Sequence, residues 1–131
     1  ILGYVLSPTL EAKYALEALE KAIIHAGSGN LCGTIHHSDR GLQYCCYDYV
    51  LKLKSHHIRI SMTEDSDPTE NGMAERVNGI IKNEFLYPLP TPRNWQEAIP
   101  LVDHAVHTYN TLRPHLNLGM RTPAQVYQYN R

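Results

Sequence analysis

Two acidic residues, Asp39 and Glu75, stand where carboxylates could do chemistry. Asp39 directly follows a predicted strand and precedes a glycine turn, so its side chain can point into a crevice at the carboxyl end of that strand. Glu75 lies in the first turn of a predicted helix that could lie across the same end of the sheet. Lys82 follows two helical turns later and shares the face of Glu75. Two converging carboxylates would form a cation site.

Each of these residues could also have a purely structural role, and the spacing between them does not exclude it. Asp39 could cap backbone amides in its own turn. Glu75 and Lys82 could be surface residues without a role. The segment 64–75 carries five acidic and no basic residues, between flanks with net charges of +1 and +3. Such a run of charge is typical of a solvated loop, and a cation site is the alternative.

The order of predicted elements indicates an α/β fold in the first half of the chain. The predicted strands are Ile1–Leu6, Thr34–Ser38 and Ile58–Met62. A helix is predicted over Leu10–Ala26, with Thr9 as its N-cap and Gly27 as its end. A second helix covers Tyr47–Ser55, with Val50, Leu51 and Leu53 facing inward. A polar loop over Thr63–Glu70 leads into a third helix over Asn71–Phe85.

The second half of the chain is predicted to be helical apart from one connector. Residues 86–93 contain three prolines and form a semi-rigid link. Residues 94–131 form the C-terminal helical part, in which a long helix begins at Asn94 or Ile99 and ends at Leu112. Pro100 must lie in its first turn or kink it. Pro123 suits the first turn of a short final helix.

Composition limits the class of protein. The chain has 131 residues, of which 43% are apolar and 19% charged, as expected for a single domain, and its formal net charge of −1 excludes a basic coat for nucleic acid over the whole surface. We find no membrane-spanning segment or secretory signal, which makes a cytoplasmic location the expectation. Cys32, Cys45 and Cys46 have neither disulfide nor zinc-ligand spacing.

Four groups of residues in order carry a stronger signal than any single position. They are residues 37–44, residues 60–62, residues 71–78 with 82–84, and residues 109–115 with 121–123. Together they resemble the integrase-type core of IS3-group insertion-sequence transposases over the whole chain. Thirty-five residues separate Asp39 from Glu75, as they separate the second and third acids of the D,D(35)E signature. The family's basic residue, seven positions after the glutamate, falls on Lys82.

The resemblance implies a ribonuclease-H-like fold of the retroviral integrase superfamily and an activity in DNA transposition. In that activity, metal-dependent phosphodiester cleavage is followed by strand transfer. Asp39 and Glu75 are then ligands of Mg²⁺ or Mn²⁺ in a two-metal site with ions about 3.5–4 Å apart. The residues expected to contact DNA are Lys82, Arg40, Arg76, Asn78 and Arg113. The implied partners are the transposon ends, the target DNA and further copies of the chain, in a bacterial, nucleoid-associated setting.

The sequence departs from the family pattern in its first part. The family has its first catalytic Asp on a strand that precedes the segment resembled by Ile1–Leu6, and no Asp precedes Asp39 here. We therefore expect a core that lacks one metal ligand and its first two strands, and that is inactive alone. The alternative is a non-catalytic remnant or interaction module that binds DNA or itself.

The missing strands also pose a structural problem. In the family's sheet order, 3-2-1-4-5, their loss removes the central neighbour of Thr34–Ser38. Unpaired backbone groups within a sheet are costly and invite another chain. We expect that the chain pairs its remaining strands directly, exchanges strands with a second copy, or is only marginally stable.

Overall fold

The computed structural model describes residues 1–27, 29–64 and 71–129. Most of the predicted acidic loop, residues 65–70, lies outside these ranges. The chain divides into two compact units, one of residues 2–72 and one of residues 73–131 together with Ile1. In the described parts of the chain, no helix is both long enough and apolar enough to span a membrane.

The described residues of the unit 2–72 form two strands and three helices. In chain order they are α1 (Ala12–Ala26), β1 (Ile35–Ser38), α2 (Leu42–Cys45), α3 (Tyr47–Ser55) and β2 (Arg59–Met62). The strands pair in parallel, with Ile35 opposite Arg59 and Ser38 opposite Met62. Because parallel neighbours need a crossover, α2 and α3 carry the chain from the end of β1 back to the start of β2. The two later predicted strands and their helical connection are confirmed.

Helix α1 buries one face against this unit, as its apolar spacing predicts. Leu19 and Ala26 are buried on that face. The helix ends at Gly27, whose φ of 85° lies in the left-handed half of backbone space that glycine favours. Its predicted start is wrong, because the helix begins at Ala12. The predicted cap, Thr9, instead donates its hydroxyl to the Glu11 carboxylate at 2.8 Å.

The core of this unit forms where α1, α3 and β2 meet. Leu19, Tyr49, Leu53 and Ile58 are its buried members. The prediction that Leu51 faces inward is wrong, since 49% of its surface is exposed. Tyr49 and Leu53 are four residues apart and share a helical face, which directs the residue midway between them outward.

The predicted strand Ile1–Leu6 is wrong. The described sheet contains only β1 and β2, so these residues do not pair with β1 directly. Gly3 lies so close to α1 that an added Cβ would be 2.6 Å from the backbone nitrogen of Ala22. Apolar residues predict a strand only where a neighbouring strand exists, and here this segment has none in the described sheet.

The unit of residues 73–131 is helical. In chain order it contains α4 (Gly72–Ile80), a π-helical segment (Ile81–Leu86), α5 (Trp95–Thr111), a 3₁₀ turn (Leu116–Leu118) and α6 (Pro123–Tyr129). The first residue of α4, Gly72, belongs to the other unit. The third predicted helix is therefore continuous to Leu86, although its last part widens to π geometry. Residues 87–94 contain no helix or strand.

Helix α5 organises this second unit. Its N-cap is Asn94, whose side-chain oxygen accepts the Glu97 amide at 3.0 Å, so the earlier of the two predicted starts is correct. Pro100 lies in the second turn, where one helical N–H is lost. Ala105, Val106 and Tyr109 are buried on α5. The helix packs against the π-helical segment and against α6.

A histidine in the first unit makes its stability depend on pH. His36 Nε2 and the Tyr49 hydroxyl share a hydrogen bond of 2.9 Å. Burial lowers the pKa of His36 below its ordinary value of 6.5 and raises the pKa of Tyr49 to about 12. The fold therefore favours neutral His36. Its stabilising effect is complete above pH 6.5, and it is lost as the pH falls from 6.5 through the lower pKa of the folded state.

We expect the free energy of unfolding to fall by up to about 1.4 kcal/mol per pH unit in that window. Urea titrations between pH 8 and pH 5 measure it. His36→Gln should reduce the slope and leave the part due to His115, whose pKa burial also lowers. His104→Gln, at an exposed position of α5, should preserve the slope. An equal slope in His36→Gln would assign the pH dependence to another group.

Candidate active site

Asp39 lies immediately after β1, at the carboxyl end of the parallel pair. Its Oδ1 accepts the backbone N–H of Gly41 at 2.9 Å, which is the turn interaction expected of an aspartate before a glycine. Asp39 is exposed, and in the described part of the chain no hydrogen bond or ion pair reaches its second carboxylate oxygen. The turn fixes the position of the carboxylate and leaves one oxygen open to solvent.

The backbone under Asp39 is held by contacts between the ends of the two strands. The amide of Thr63 donates to the carbonyl of Ser38 at 3.1 Å. The Arg40 Nε donates to the carbonyl of Thr63 at 2.7 Å. Ser38 and Thr63 are both buried, so these bonds lie in a partly desolvated place. Arg40, predicted to contact DNA, thus has an internal partner through one of its nitrogens.

A buried hydroxyl lies at this same strand end without a partner. The Oγ of Ser38 is inaccessible to solvent, and no described residue forms a hydrogen bond with it. Buried polar atoms of this kind are rare and are concentrated at functional sites or where water enters. Ser38 directly precedes Asp39 in the sequence.

Glu75 lies in the first turn of α4 and is exposed. A carboxylate at this position is stabilised by the positive end of the helix dipole. Asn78, on the same helix, and Lys82, in the π-helical segment, are exposed too. Within residues 1–27, 29–64 and 71–129, none of these three side chains makes a hydrogen bond or an ion pair. They are available to a ligand from solution.

Arg113 is the most firmly held of the predicted DNA-contacting residues. Its Nε and Nη2 donate to the two carboxylate oxygens of Glu84, each at 2.6 Å. This paired hydrogen bond lowers the pKa of Glu84 and raises that of Arg113. The arrangement is planar and bidentate, the geometry that a guanidinium and a carboxylate favour. It connects the π-helical segment to the residues that follow α5.

Arg76 differs from Arg113 because it is exposed on α4. The charges of both guanidinium groups act on His115. Burial is the largest cause of its lowered pKa, and the charges of Arg113 and then Arg76 add to it. His115 packs edge-on against Tyr109 with ring centroids 4.8 Å apart. The ring is therefore neutral near pH 7, and the local positive charge belongs to the two arginines.

The described residues do not contain a preformed metal cluster. No three His, Cys, Asp or Glu side chains among them are grouped so that they could hold an ion. Asp39 and Glu75 lie in different compact units. Asp39 is therefore described by the contacts of its strand end, and Glu75 by its place in the first turn of α4.

Sequence reasoning missed two residues that shape these settings. Thr63 joins the strand ends through its backbone, which leaves no mark in residue type. Glu84 belongs to one of the motifs, but its partner is 29 residues away. In the sequence, Glu84 and Arg113 are only an acid near the end of one helix and an arginine after the next helix. Many such pairs occur by chance, so the sequence predicts their ion pair only weakly.

Comparisons with known proteins agree on one family. Residues 56–123 match the integrase core domain family. The chain is 32% identical over 129 residues to the transposase of insertion sequence IS629 from Shigella sonnei, covering 95% of this chain and 41% of that protein. It is also 32% identical over 87 residues to transposase InsF of IS3A from Escherichia coli K12, covering 66% of this chain and 30% of that protein. The chain spans less than half the length of either relative.

Two solved structures share the fold. The catalytic core of HTLV-2 integrase, in complex with magnesium in a trimeric form, is 25% identical with a TM-score of 0.62, covering 87% of this chain and 68% of that one. A chain of the simian T-cell lymphotropic virus intasome in complex with PP2A regulatory subunit B56 gamma is 25% identical with a TM-score of 0.66. The match covers 83% of this chain and 37% of that one.

These matches confirm the ribonuclease-H-like fold of the retroviral integrase superfamily that the motifs imply. The parallel strands β1 and β2 and their helices are the part of that architecture present among the described residues. The family match extends over more than half of the chain, from His56 at the end of α3 to Pro123. The chain belongs to the integrase core domain family, within the IS3-group insertion-sequence transposases.

Proposed function

We propose that Asp39 and Glu75 are ligands of a divalent cation in the catalytic core of a DNA transposase. One observation carries this proposal. In a chain of this family, both carboxylates occupy positions fixed by regular backbone, a strand end and a first helical turn, and both are exposed. The turn that holds Asp39 uses only one of its oxygens. A structural role would engage these side chains more fully.

The donor atoms suit Mg²⁺ or Mn²⁺. Both ions favour hard oxygen ligands, and Asp39 and Glu75 would supply carboxylate oxygens to them. The unpartnered hydroxyl of Ser38, next to Asp39, adds a polar atom at the strand end. When bound, such ions activate the attacking oxygen and stabilise the leaving oxygen in phosphodiester cleavage and strand transfer. The protein's part is to fix the two carboxylates and to bind the DNA backbone.

The DNA contacts divide into two groups. Lys82, Arg76 and Asn78 are exposed on α4 and the segment after it, and would meet phosphates directly. Arg40 and Arg113 already donate to Thr63 and Glu84. These two act first by positioning the backbone. The third guanidinium nitrogen of Arg113, Nη1, lies 3.5 Å from the carbonyl of Pro114 and 3.4 Å from Nδ1 of His115, so DNA would meet only those N–H groups that these bonds leave unused. The partners are the transposon ends, the target DNA and further copies of the transposase.

By itself the chain should leave DNA uncut. Asp39 is its first aspartate, so the first acid of the family's signature is absent from the sequence. A two-metal reaction that lacks one carboxylate loses the geometry on which its rate depends. The alternative function is a non-catalytic module that binds DNA or itself. It is favoured by the absence of a convergent metal cluster among the described residues.

Thermal unfolding with and without Mn²⁺ separates the two functions. At 100 times its dissociation constant, Mn²⁺ should stabilise the folded chain by about 2.7 kcal/mol. Asp39→Asn and Glu75→Gln should each remove most of this stabilisation. The matched control is Glu17→Gln, which alters a carboxylate paired with Lys21 on α1 at 3.0 Å and should retain the full effect.

A melting temperature that does not respond to Mn²⁺ would contradict the metal site and support the non-catalytic module. The same conclusion would follow if Asp39→Asn and Glu75→Gln kept the Mn²⁺ response of the parent chain. Circular dichroism at 222 nm follows the transition, and each variant is first compared with the parent chain in the absence of metal.

The positioning role of Arg40 gives a separate prediction. Arg40→Ala removes the bond to the Thr63 carbonyl and should release the turn that holds Asp39. A charged hydrogen bond of this kind contributes about 1.5 kcal/mol, so the amide of Gly41 should exchange its hydrogen about tenfold faster. Arg93→Ala, which breaks the exposed pair with Glu97, is the control. Unchanged exchange at Gly41 in Arg40→Ala would show that the turn holds its shape without Arg40.

A further inference from the structure

A cavity in the unit of residues 73–131 is lined by two arginines proposed above to contact DNA, Arg76 and Arg113, together with residues that the proposed function does not use. Its volume is about 480 Å³, within the range of small-molecule sites in proteins. One wall comes from α4, through Arg76 and Ile80. Other lining residues come from the chain after α5 and include Arg113, Leu116, Asn117 and Met120. None of the residues that line it is Asp39 or Glu75.

The part of the lining that follows α5 is a loop closed by backbone hydrogen bonds. The amide of His115 donates to the carbonyl of Arg121 at 3.1 Å, and the amide of Met120 donates to the carbonyl of His115 at 2.9 Å. A 3₁₀ turn fills the loop between them. Gly119 and Met120 have φ values of 61° and 63°. The left-handed conformation is unfavourable for methionine, and such residues are concentrated at binding sites.

The polar side of the cavity is cationic. Glu84 fixes the Arg113 guanidinium through Nε and Nη2. That guanidinium lines the cavity, and its Nη1 also lies 3.5 Å from the carbonyl of Pro114 and 3.4 Å from Nδ1 of His115, so its orientation is set before a ligand binds. Arg76 faces it from α4 as an exposed second guanidinium. The charge of each reaches His115 and lowers its pKa, in keeping with their convergence. Two guanidinium groups and the amide of Asn117 suit a phosphate.

Apolar residues also line the cavity, and two of them are open to solvent. Leu116 is 84% exposed and Met120 is 60% exposed. Ile80 completes this surface from α4. Apolar side chains of this type contact the faces of unstacked bases in nucleic-acid complexes. A phosphate donor set beside an apolar surface matches the two halves of a nucleotide.

We propose that this cavity binds a single unpaired nucleotide of a DNA strand. Its phosphate lies between Arg76 and Arg113, and its base packs on Leu116 and Met120. The choice of DNA as the source rests on the proposed function, whereas the nucleotide specificity rests on the cavity alone. Because Arg113 is already fixed and the loop is closed, little conformational freedom is lost on binding.

The test is an NMR titration of the 131-residue chain, in EDTA, with deoxyadenosine 5′-monophosphate. Binding should shift the Met120 methyl signal and the amides of residues 115–120 until they saturate. Inorganic phosphate and deoxyadenosine each carry half of the ligand, and each should bind at least about tenfold more weakly. Equal binding of phosphate alone would overturn the nucleotide assignment, and so would shifts that avoid residues 115–120.

Two variants test the two halves of the cavity. Arg76→Gln should weaken binding of the nucleotide about tenfold, and Met120→Ala should weaken it severalfold with phosphate binding unchanged. Arg76 and Met120 are exposed, and the amide spectrum of each variant reports its folding. Arg93→Gln removes an arginine outside the cavity and should bind like the parent chain. Full affinity in both cavity variants would overturn the proposal.

The outcome is independent of the metal site because EDTA is present throughout. Nucleotide binding without Mn²⁺ stabilisation would retain the cavity and contradict the metal ligands. Mn²⁺ stabilisation without nucleotide binding would support the metal ligands and contradict the nucleotide site. A single-stranded oligonucleotide that competes with the mononucleotide identifies DNA as the source, and failure to compete would overturn that part of the inference.

Discussion

The hydrogen bonds between the ends of β1 and β2 are the constraint on which the setting of Asp39 depends. Two buried residues, Ser38 and Thr63, bring the strand ends together, and Arg40 donates across them. A carboxylate placed directly after such a strand needs no further element to hold it. The adjacent glycine turn takes one oxygen of Asp39 and leaves the other to solvent. The backbone therefore fixes the position of the Asp39 carboxylate, and its second oxygen stays available to a ligand.

The helical unit uses one ion pair in a comparable way. Glu84 takes two nitrogens of Arg113 and fixes the residues that follow α5. The closed loop from His115 to Arg121 then continues from an already immobile arginine. In both units an arginine predicted to contact DNA first serves the fold. The guanidinium group is thereby held in one orientation, which lowers the entropy lost when a phosphate binds.

The sequence predicted the elements that depend on local periodicity. Helix α3 was predicted with its observed bounds, and α5 begins at the earlier of its two predicted starts, because apolar spacing is a local property. The strand predicted at Ile1–Leu6 failed because pairing depends on a distant neighbour. For the site, the turn at Asp39 was foreseeable from the following glycine. The partners of Arg40 and Arg113 were not, since they come from residues 23 and 29 positions away.

The central claim is that Asp39 and Glu75 are both metal ligands. Paramagnetic broadening of amide NMR signals by substoichiometric Mn²⁺ tests it most directly, because broadening falls steeply with distance from the ion. If one ion is bound by both carboxylates, the signals of Asp39–Gly41 and Ala74–Arg76 should be lost at one common Mn²⁺ midpoint and should recover on addition of EDTA. Broadening at only one of these two segments, or only elsewhere in the chain, would contradict it.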